Sequence, residues 1–470
     1  MNSPDPQLLA RCAARRAQLA AHMARAGGGV AIVPTAPEVM RNRDADYPYR
    51  HDSYFYYLTG FTEPQSLLVL TVQADGSHQA TLLCREKDVE REIWDGFRYG
   101  PDAAKEAFGL DAALSIDQRA AALPPFLADR AAVWWPFAIH PGFETQVEGW
   151  LAAVRAQARA GRRAPAAQYD LCSVLDDLRL FKDDYELAVM RRAAAISADG
   201  HRRAMRRSAA GSRVPPAEGL REYHLEAELL HAFRAGGAQA PAYGSIVAAG
   251  ANACVLHYRA DRGAVRPGEL VLIDAACELD GYASDITRTF PADGRFSGAQ
   301  RALYDIVLES QHAALAATRA GQRFNDPHEA ALRVLAQGLL DTGLVARDAA
   351  PDVDAVLTTG AYRRFYMHRT SHWMGMDVHD CGDYAEPGEA PQSQPDGSVR
   401  PASRVLRPGM VLTIEPGLYV RAADDIPAAF HDIGIRIEDD VLVRADGAAC
   451  EVLTHAAPKT VAEIEDLMRA

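Results

Sequence analysis

Along the chain the spacing of apolar residues changes period several times, and each change marks an element. Apolar positions at helical spacing run from Leu8 to Ala26, stop at Gly27-Gly28-Gly29, and give way to a short strand from Val30 to Val33. Ser66 to Val72 and Ala80 to Cys84 predict an antiparallel pair, Ala103 to Phe108 a helix, and Val133 to Phe137 another strand. An Ala/Arg-rich helical stretch, Gln146 to Arg163, follows. The mixture predicts an α/β first domain, residues 1–176, with the composition changing between 172 and 182.

Beyond that boundary, in a second domain spanning 177–470, the periodic stretches lengthen. Asp183 to Arg207 reads as one helix with Leu187, Met190, Ala194 and Ile196 along a side. Leu220, Tyr223, Ala227 and Leu230 mark a second, which Gly236-Gly237 ends. Strands at Ile246 to Ala249 and Ala253 to Leu256 deliver His257. The stretch 271–290 then reads as strand, turn and strand: Val271 to Ile273 run into Asp274, Asp280-Gly281 turns the chain, and Asp285 precedes alternating Ile286, Arg288 and Phe290. Ser297 with Gln300 forms a capping box for a helix to about Ala320, and Pro327 opens another. Strands return at Val411 to Ile414 and Ile433 to Ile437, so the second half repeats the layout of the first loosely. Gly382 to Ser403, rich in Pro, Gly, Ser and Glu, predicts a mobile loop or insertion.

Composition narrows the class. With 470 residues, 48% of them apolar, the chain has material for a substantial core. A formal net charge of −13 without a polybasic run argues against nucleic-acid binding, and no apolar run is long enough to span a bilayer. The aromatic cluster 47–64 holds five tyrosines but only Arg50 and His51 as basic residues, which predicts a packed aromatic layer at a domain or subunit boundary rather than a base-stacking groove. Seven scattered cysteines without a C-x-x-C pair predict reduced structural thiols and a cytoplasmic protein. The N-terminal Ala/Arg stretch reads as a surface helix rather than a transit peptide.

The candidate chemistry lies in acids that end apolar strands. Asp274, Asp285, Glu415 and Glu438 occupy such contexts, and the segment 367–380 adds His368, His372 and His379. Singly, each acid could pair with Arg or cap a turn. Were the four to converge, carboxylates about 4 Å apart would repel by roughly 4 kcal/mol per pair at an effective dielectric near 20, and cations would be needed. Four carboxylates and an imidazole are a hard, oxygen-rich set, suited to manganese, iron or cobalt rather than a thiolate zinc site.

The order Asp274, Asp285, His372, Glu415, Glu438, inside ID-x₁₀-DITRTF, H-x₃-H-x₆-H, TIEPGLY and GIRIEDD, resembles the pita-bread metallopeptidases of family M24, specifically the Xaa-Pro aminopeptidases (aminopeptidase P). DSYFYYLTGFTEP, EYHLEAEL and LHY extend the resemblance over most of the chain. It implies a creatinase-like α/β N-terminal domain and an α+β C-terminal pita-bread (creatinase/aminopeptidase) domain. It also implies two divalent ions, Mn2+ first with Co2+, Fe2+ or Zn2+ as alternatives. Asp285 and Glu438 would bridge them, Asp274 would complete one shell, and His372 and Glu415 the other. By the same resemblance His257 would move protons or steady the intermediate, His368 and His379 would contact the substrate carbonyl and the chain beyond it, and Glu415 is a candidate base or acid. Tyr419 and Arg436 would line the proline pocket, Arg436 having the alternative of balancing Asp274 or Glu438. Trp94 would reach a neighbouring subunit's site in a homo-oligomer, dimer or tetramer. The implied substrate is a peptide with proline second. A prolidase, restricted to dipeptides, and a non-catalytic binding module are the other readings, and the latter predicts missing ligands. Two departures stand at the mouth of the site: Arg369 where members commonly have Gly, and a longer stretch from Glu386 to Ala402.

Overall fold

The computed structural model describes residues 4–213, 219–259, 262–393, 399–445 and 447–470. They form two compact units, Met1–Leu178 and Arg179–Ala470.

The first unit is built on a six-stranded sheet in the order Ala112–Ser115, His78–Cys84, Leu67–Val72, Gly29–Pro34, Ala132–Trp135, Ala167–Asp170. Leu67–Val72 runs antiparallel to both neighbours and the remaining pairs are parallel. The two central strands are buried at every position, which accounts for their unbroken apolar runs. The glycine run before them does more than stop a helix. Gly28 has φ +80° and a Cβ there would lie 2.5 Å from the Val72 carbonyl, while one on Gly29 would lie 2.3 Å from that of Ala132. The centre of the aromatic cluster is a helix, Ser53–Thr59, with all seven residues buried. Arg15 and Arg16, from the helix Pro6–Arg25, donate to the Tyr57 and Leu58 carbonyls and so close its last turn. The stretch expected to be helical from Gln146 to Arg163 is instead Phe143–Arg155 followed by a short 3₁₀ turn, Ala158–Ala160.

In the second unit, Asp184–Arg213 packs on Glu222–Ala235 and Gly298–Ala317 on Asp326–Asp341. Each helical pair precedes a similar β arrangement. Leu270–Asp274 ends on a carboxylate, a hairpin follows (Cys277–Leu279 with Tyr282–Ala283), and Asp285 precedes Thr287–Pro291, which returns antiparallel with Asp274 opposite Thr287. The hairpin turns on Asp280 and Gly281, both at positive φ, as a two-residue type I′ turn requires. Correspondingly, Val411–Ile414 leads into Glu415, the hairpin Gly417–Val420 with Ile433–Arg436 follows, and Glu438 precedes Asp439–Leu442, with Ile414 opposite Asp439. The loosely repeated layout is thus a repeat of strand, acid, hairpin, acid and strand.

A buried cation ties the two halves together. Arg288, fully buried, donates to the carbonyls of Thr287 and Glu438 at 2.9 and 2.6 Å and to Asp439 Oδ1 at 2.6 Å. Asp439 also accepts from Lys459, Gln311 and Thr454. The strand expected at Ala253 to Leu256 is a 3₁₀ turn, Gly250–Cys254. The reason is Glu222, a buried carboxylate that accepts from the Ala249 and Gly263 amides, Asn252 Nδ2 and the Tyr258 hydroxyl, so the segment wraps around it. In the Gly382 to Ser403 stretch, Gln392–Ser393 pairs with Val399–Arg400; residues 394–398 lie outside the described residues.

Candidate metal centre

Asp274, Asp285, His372, Glu415 and Glu438 line one cavity of about 560 Å³ together with His257, His368, His379, Arg369 and Arg436. The repeated layout explains the convergence: two equivalent strand ends each contribute an acid, and the residue pair beyond each hairpin contributes another. His372 is placed by backbone pairing with the strand that leads into Glu415, since Thr413 N donates to the His372 carbonyl and Glu415 N to that of Thr370. His379 is held through its neighbour. Asp380 is buried between Arg179 and Lys182, with contacts of 2.6 and 3.0 Å.

The acids are linked by hydrogen bonds. Tyr243 Oη lies 2.6 Å from Asp274 Oδ1 and 2.6 Å from Asp285 Oδ1. A phenol has one proton, so both contacts close only if a carboxylate carries another, in keeping with the upward shift that burial gives Asp274. Arg436 donates to Asp274 Oδ2 at 2.6 Å, to Tyr419 Oη at 2.9 Å and to Thr287 Oγ1 at 3.1 Å, and Thr287 donates to Glu438 Oε2 at 2.6 Å. Arg436 therefore balances Asp274 directly and Glu438 through Thr287.

The four histidines sort into two pairs. His372 Nδ1 donates to the Trp373 carbonyl at 2.9 Å, which leaves Nε2 facing Asp285 at 3.5 Å and Glu415 at 3.9 Å. His368 Nδ1 donates to the Arg369 carbonyl at 2.7 Å, so its Nε2 accepts the Tyr419 hydroxyl at 2.8 Å. Burial, with the Arg436 charge adding to it, lowers His368 to about 4 and keeps the ring neutral. Both nitrogens of each ring are thus committed within the protein. His257 and His379 make no hydrogen bond among the described residues and line both the main cavity and a smaller one beside it. His379 stacks on His372 at 4.1 Å and burial lowers its pKa.

Divalent cations fit this donor set. Asp285, His372 and Glu438 offer ligand atoms all within 4.8 Å of one another. Burial raises Glu438 well above the usual carboxylate range, with Asp285, Glu415 and Asp274 adding repulsion, and burial raises Glu415 to about 7 against the opposing charges of His372 and Arg436. Acids held protonated by their neighbours' charge are a site short of positive charge. The His372 Nδ1–H bond to a backbone carbonyl is also the usual way a ligating imidazole is oriented.

The same shifts give a pH dependence. For His372, burial opposes the charged form but Asp285 and Glu415 outweigh it, raising the pKa to about 9 from an ordinary 6.5. Folded metal-free protein therefore retains protons on Glu415 and His372 that the unfolded chain has lost, and this stability declines as pH rises from about 4.5 to 9. Bound cations displace those protons. The difference in Tm between metal-loaded and chelated protein should widen as pH is raised from about 6 to 9. Buried His201 and His328, both lowered to about 3, are common to the two forms and cancel. Scanning calorimetry on both forms checks this, and a constant difference would contradict it.

One placement differs from the sequence expectations. Tyr419 is 1% exposed and sits behind His368 and Arg436 instead of on the cavity wall, with burial raising its hydroxyl to about 12. Arg436 lines the cavity, but three of its N–H groups are spent on Asp274, Tyr419 and Thr287. A contact between His368 and substrate requires one of its two bonds to exchange. Trp94 belongs to the first unit, on the helix Val89–Asp95, and is 83% exposed. Sequence reasoning missed Tyr243, Thr287 and the organising role of Glu222. Thr287 follows Asp285 within the quoted motif, whereas nothing in the pattern around Tyr243 marks it.

A family model described as metallopeptidase family M24 matches residues 188–445, and one described as the aminopeptidase P N-terminal domain matches residues 12–134. The Xaa-Pro aminopeptidase of Escherichia coli is 41% identical over 94% of both chains. Among solved structures, the aminopeptidase PepP of Pseudomonas aeruginosa aligns with a TM-score of 0.89 at 45% identity, covering 100% of this chain and 99% of its own. Zinc-substituted E. coli aminopeptidase P in complex with product aligns at 0.88 and 40%, covering 98% of each.

Proposed function

The chain belongs to metallopeptidase family M24, with an aminopeptidase P N-terminal domain and a pita-bread C-terminal domain, and from that membership we propose a reading of its active site. It is an Xaa-Pro aminopeptidase, a metal-dependent hydrolase that releases the N-terminal residue from peptides with proline second. The observation that carries this is the convergence of four carboxylates and His372 on one cavity, in a chain 41% identical to such an enzyme.

Asp274, Asp285, His372, Glu415 and Glu438 would hold two divalent ions, and manganese is our first choice because the set is oxygen-rich. When bound, the ions supply Lewis acidity, polarising the scissile carbonyl and making water nucleophilic at neutral pH. The protein's residues supply the rest. A bond to proline has no N–H, and its leaving group is a secondary amine that must gain a proton. Glu415 is our candidate to take a proton from water and return it to that amine. His257 and His379, whose ring nitrogens are uncommitted, donate to carbonyl oxygens of the bound peptide. Arg436, Tyr419 and His368 form a fixed chain of donors behind the reacting centre, positioning Asp274 and the histidine motif. Residues 1–176 are the creatinase-like domain in this reading and 177–470 the catalytic one. Val89, Ile93 and Trp94 are 69%, 78% and 83% exposed, which supports a homo-oligomer that covers them. Cysteines without a disulfide among the described residues support a cytoplasmic location.

Chelated protein, with and without added manganese, should be given Ala-Pro and Ala-Pro-Ala-Ala and the products followed by mass spectrometry. Metal-dependent release of alanine from the tetrapeptide is the expected result. Cleavage confined to the dipeptide would replace this reading with a prolidase.

A further inference from the structure

Resting on that reading, the structure assigns a substrate preference to Arg369: we propose that its guanidinium binds a carboxylate in the peptide beyond proline, favouring substrates that carry one. Arg369 lines the cavity that holds the acids and the histidines, yet its side chain is exposed. It is therefore at the open side, where the C-terminal part of a peptide must lie when its N-terminal residue is inside. The guanidinium is held in place. One Nη donates to Asn325 Oδ1 at 2.5 Å, and Asn325 is itself fixed, since its amide donates to Ser403 Oγ at 3.0 Å and the Phe324 amide donates to the Arg404 carbonyl at 2.8 Å. Ser403 and Arg404 close the stem of the Pro/Gly-rich stretch, with the Glu386 amide bonded to the Ala402 carbonyl. The two unusual features of the mouth, the arginine and the long stretch, thus meet at Asn325.

What distinguishes Arg369 from its neighbours is the lack of an acidic partner. Glu389 pairs with Arg323 at 2.9 Å, Glu386 with Arg407 and Arg404, and Asp380 with Arg179 and Lys182. Among the described residues Arg369 has Asn325 and no carboxylate. A neutral amide that anchors a guanidinium leaves its charge and most of its five N–H donors for a ligand, and a carboxylate is the group that fits that fork. In a peptide it can come from the C-terminus or from an Asp or Glu side chain.

The test compares Ala-Pro-Ala with Ala-Pro-Ala-NH₂, and Ala-Pro-Asp-NH₂ with Ala-Pro-Asn-NH₂, on metal-loaded wild type, R369Q and N325D. In at least one pair the charged peptide should have a KM about tenfold lower in wild type, near the lower end for one hydrogen bond to a charged group, with kcat moving less. The pair that shows it identifies the source. R369Q should raise KM for the charged member to that of the neutral one. N325D, which leaves Arg369 in place but faces it with a carboxylate, should reduce the preference as well. Calorimetric titration with Pro-Ala and Pro-Ala-NH₂ reads the same preference without turnover. No preference in wild type, or one that survives in R369Q, overturns the proposal. Failure of wild type to cleave Ala-Pro-Ala at all would instead overturn the Xaa-Pro aminopeptidase reading.

Discussion

Replacing Asp285 with alanine is expected to lower hydrolysis at least about a thousandfold, equivalent to about 4 kcal/mol of transition-state stabilisation. Both carboxylate oxygens of Asp285 have partners in the site. One oxygen meets the Tyr243 hydroxyl at 2.6 Å, the other lies 3.5 Å from His372 Nε2, and its amide donates to Asp440 Oδ2 at 3.0 Å. It also belongs to the trio whose ligand atoms fall within 4.8 Å of one another. Alanine removes a charge that both halves of the site share, and no nearby side chain can take its place. Elemental analysis should find fewer than the two ions proposed for the wild type. The residues that line this cavity belong to the second unit, so far-UV circular dichroism should show a folded protein. Activity within tenfold of wild type, or two ions retained, would refute the assignment.

The second large effect concerns stability. Arg288→Met should cost about 3–5 kcal/mol and lower Tm by about 10 °C. Arg288 and Asp439 are both fully buried at 2.6 Å. Burial opposes the Asp439 charge, but Arg288 and then Lys459 outweigh it and hold the carboxyl well below its usual range. Removing Arg288 leaves Asp439 to Lys459, 2.7 Å away and part-exposed, together with Gln311 and Thr454. It also releases the Glu438 carbonyl, and with it the backbone that carries a proposed ligand. Metal affinity should therefore fall about ten- to hundredfold, the usual scale for losing a residue that orients a ligand. The double variant R288M/D439L removes both charges and should recover part of the stability but not the affinity. A Tm unchanged in R288M would show that the pair contributes nothing to the fold.

Much of this molecule is legible before any coordinates. The Asp280-Gly281 turn, the Ser297/Gln300 capping box and the strands at Leu67–Val72 and Val411–Ile414 are local: each depends on backbone dihedrals or on side chains within a few positions. The same holds for the four acids and the histidine inside their motifs, because a carboxylate at the end of an apolar strand is unusual wherever it points. Errors arose where a distant group decided the local structure. Ala253 to Leu256 has strand composition, but the four donors that converge on Glu222 bend the chain there into a 3₁₀ turn.

Only the tertiary structure could decide which groups are free. By residue type alone, His257, His368, His372 and His379 are equivalent imidazoles, and Tyr419 and Arg436 look ready to meet substrate. Folded, His368 is saturated by Tyr419 and a backbone carbonyl, Arg436 is spent on Asp274, Tyr419 and Thr287, and His257 and His379 are left uncommitted. Tyr243 joins two acids 31 and 42 residues away through a single hydroxyl, a relation no periodicity records. Sequence determines which side chains can do chemistry and where strands begin and end, since both follow from residue type and near neighbours. Whether a donor is available or occupied depends on what packs within about 3 Å of it, and that is set by the chain's distant parts.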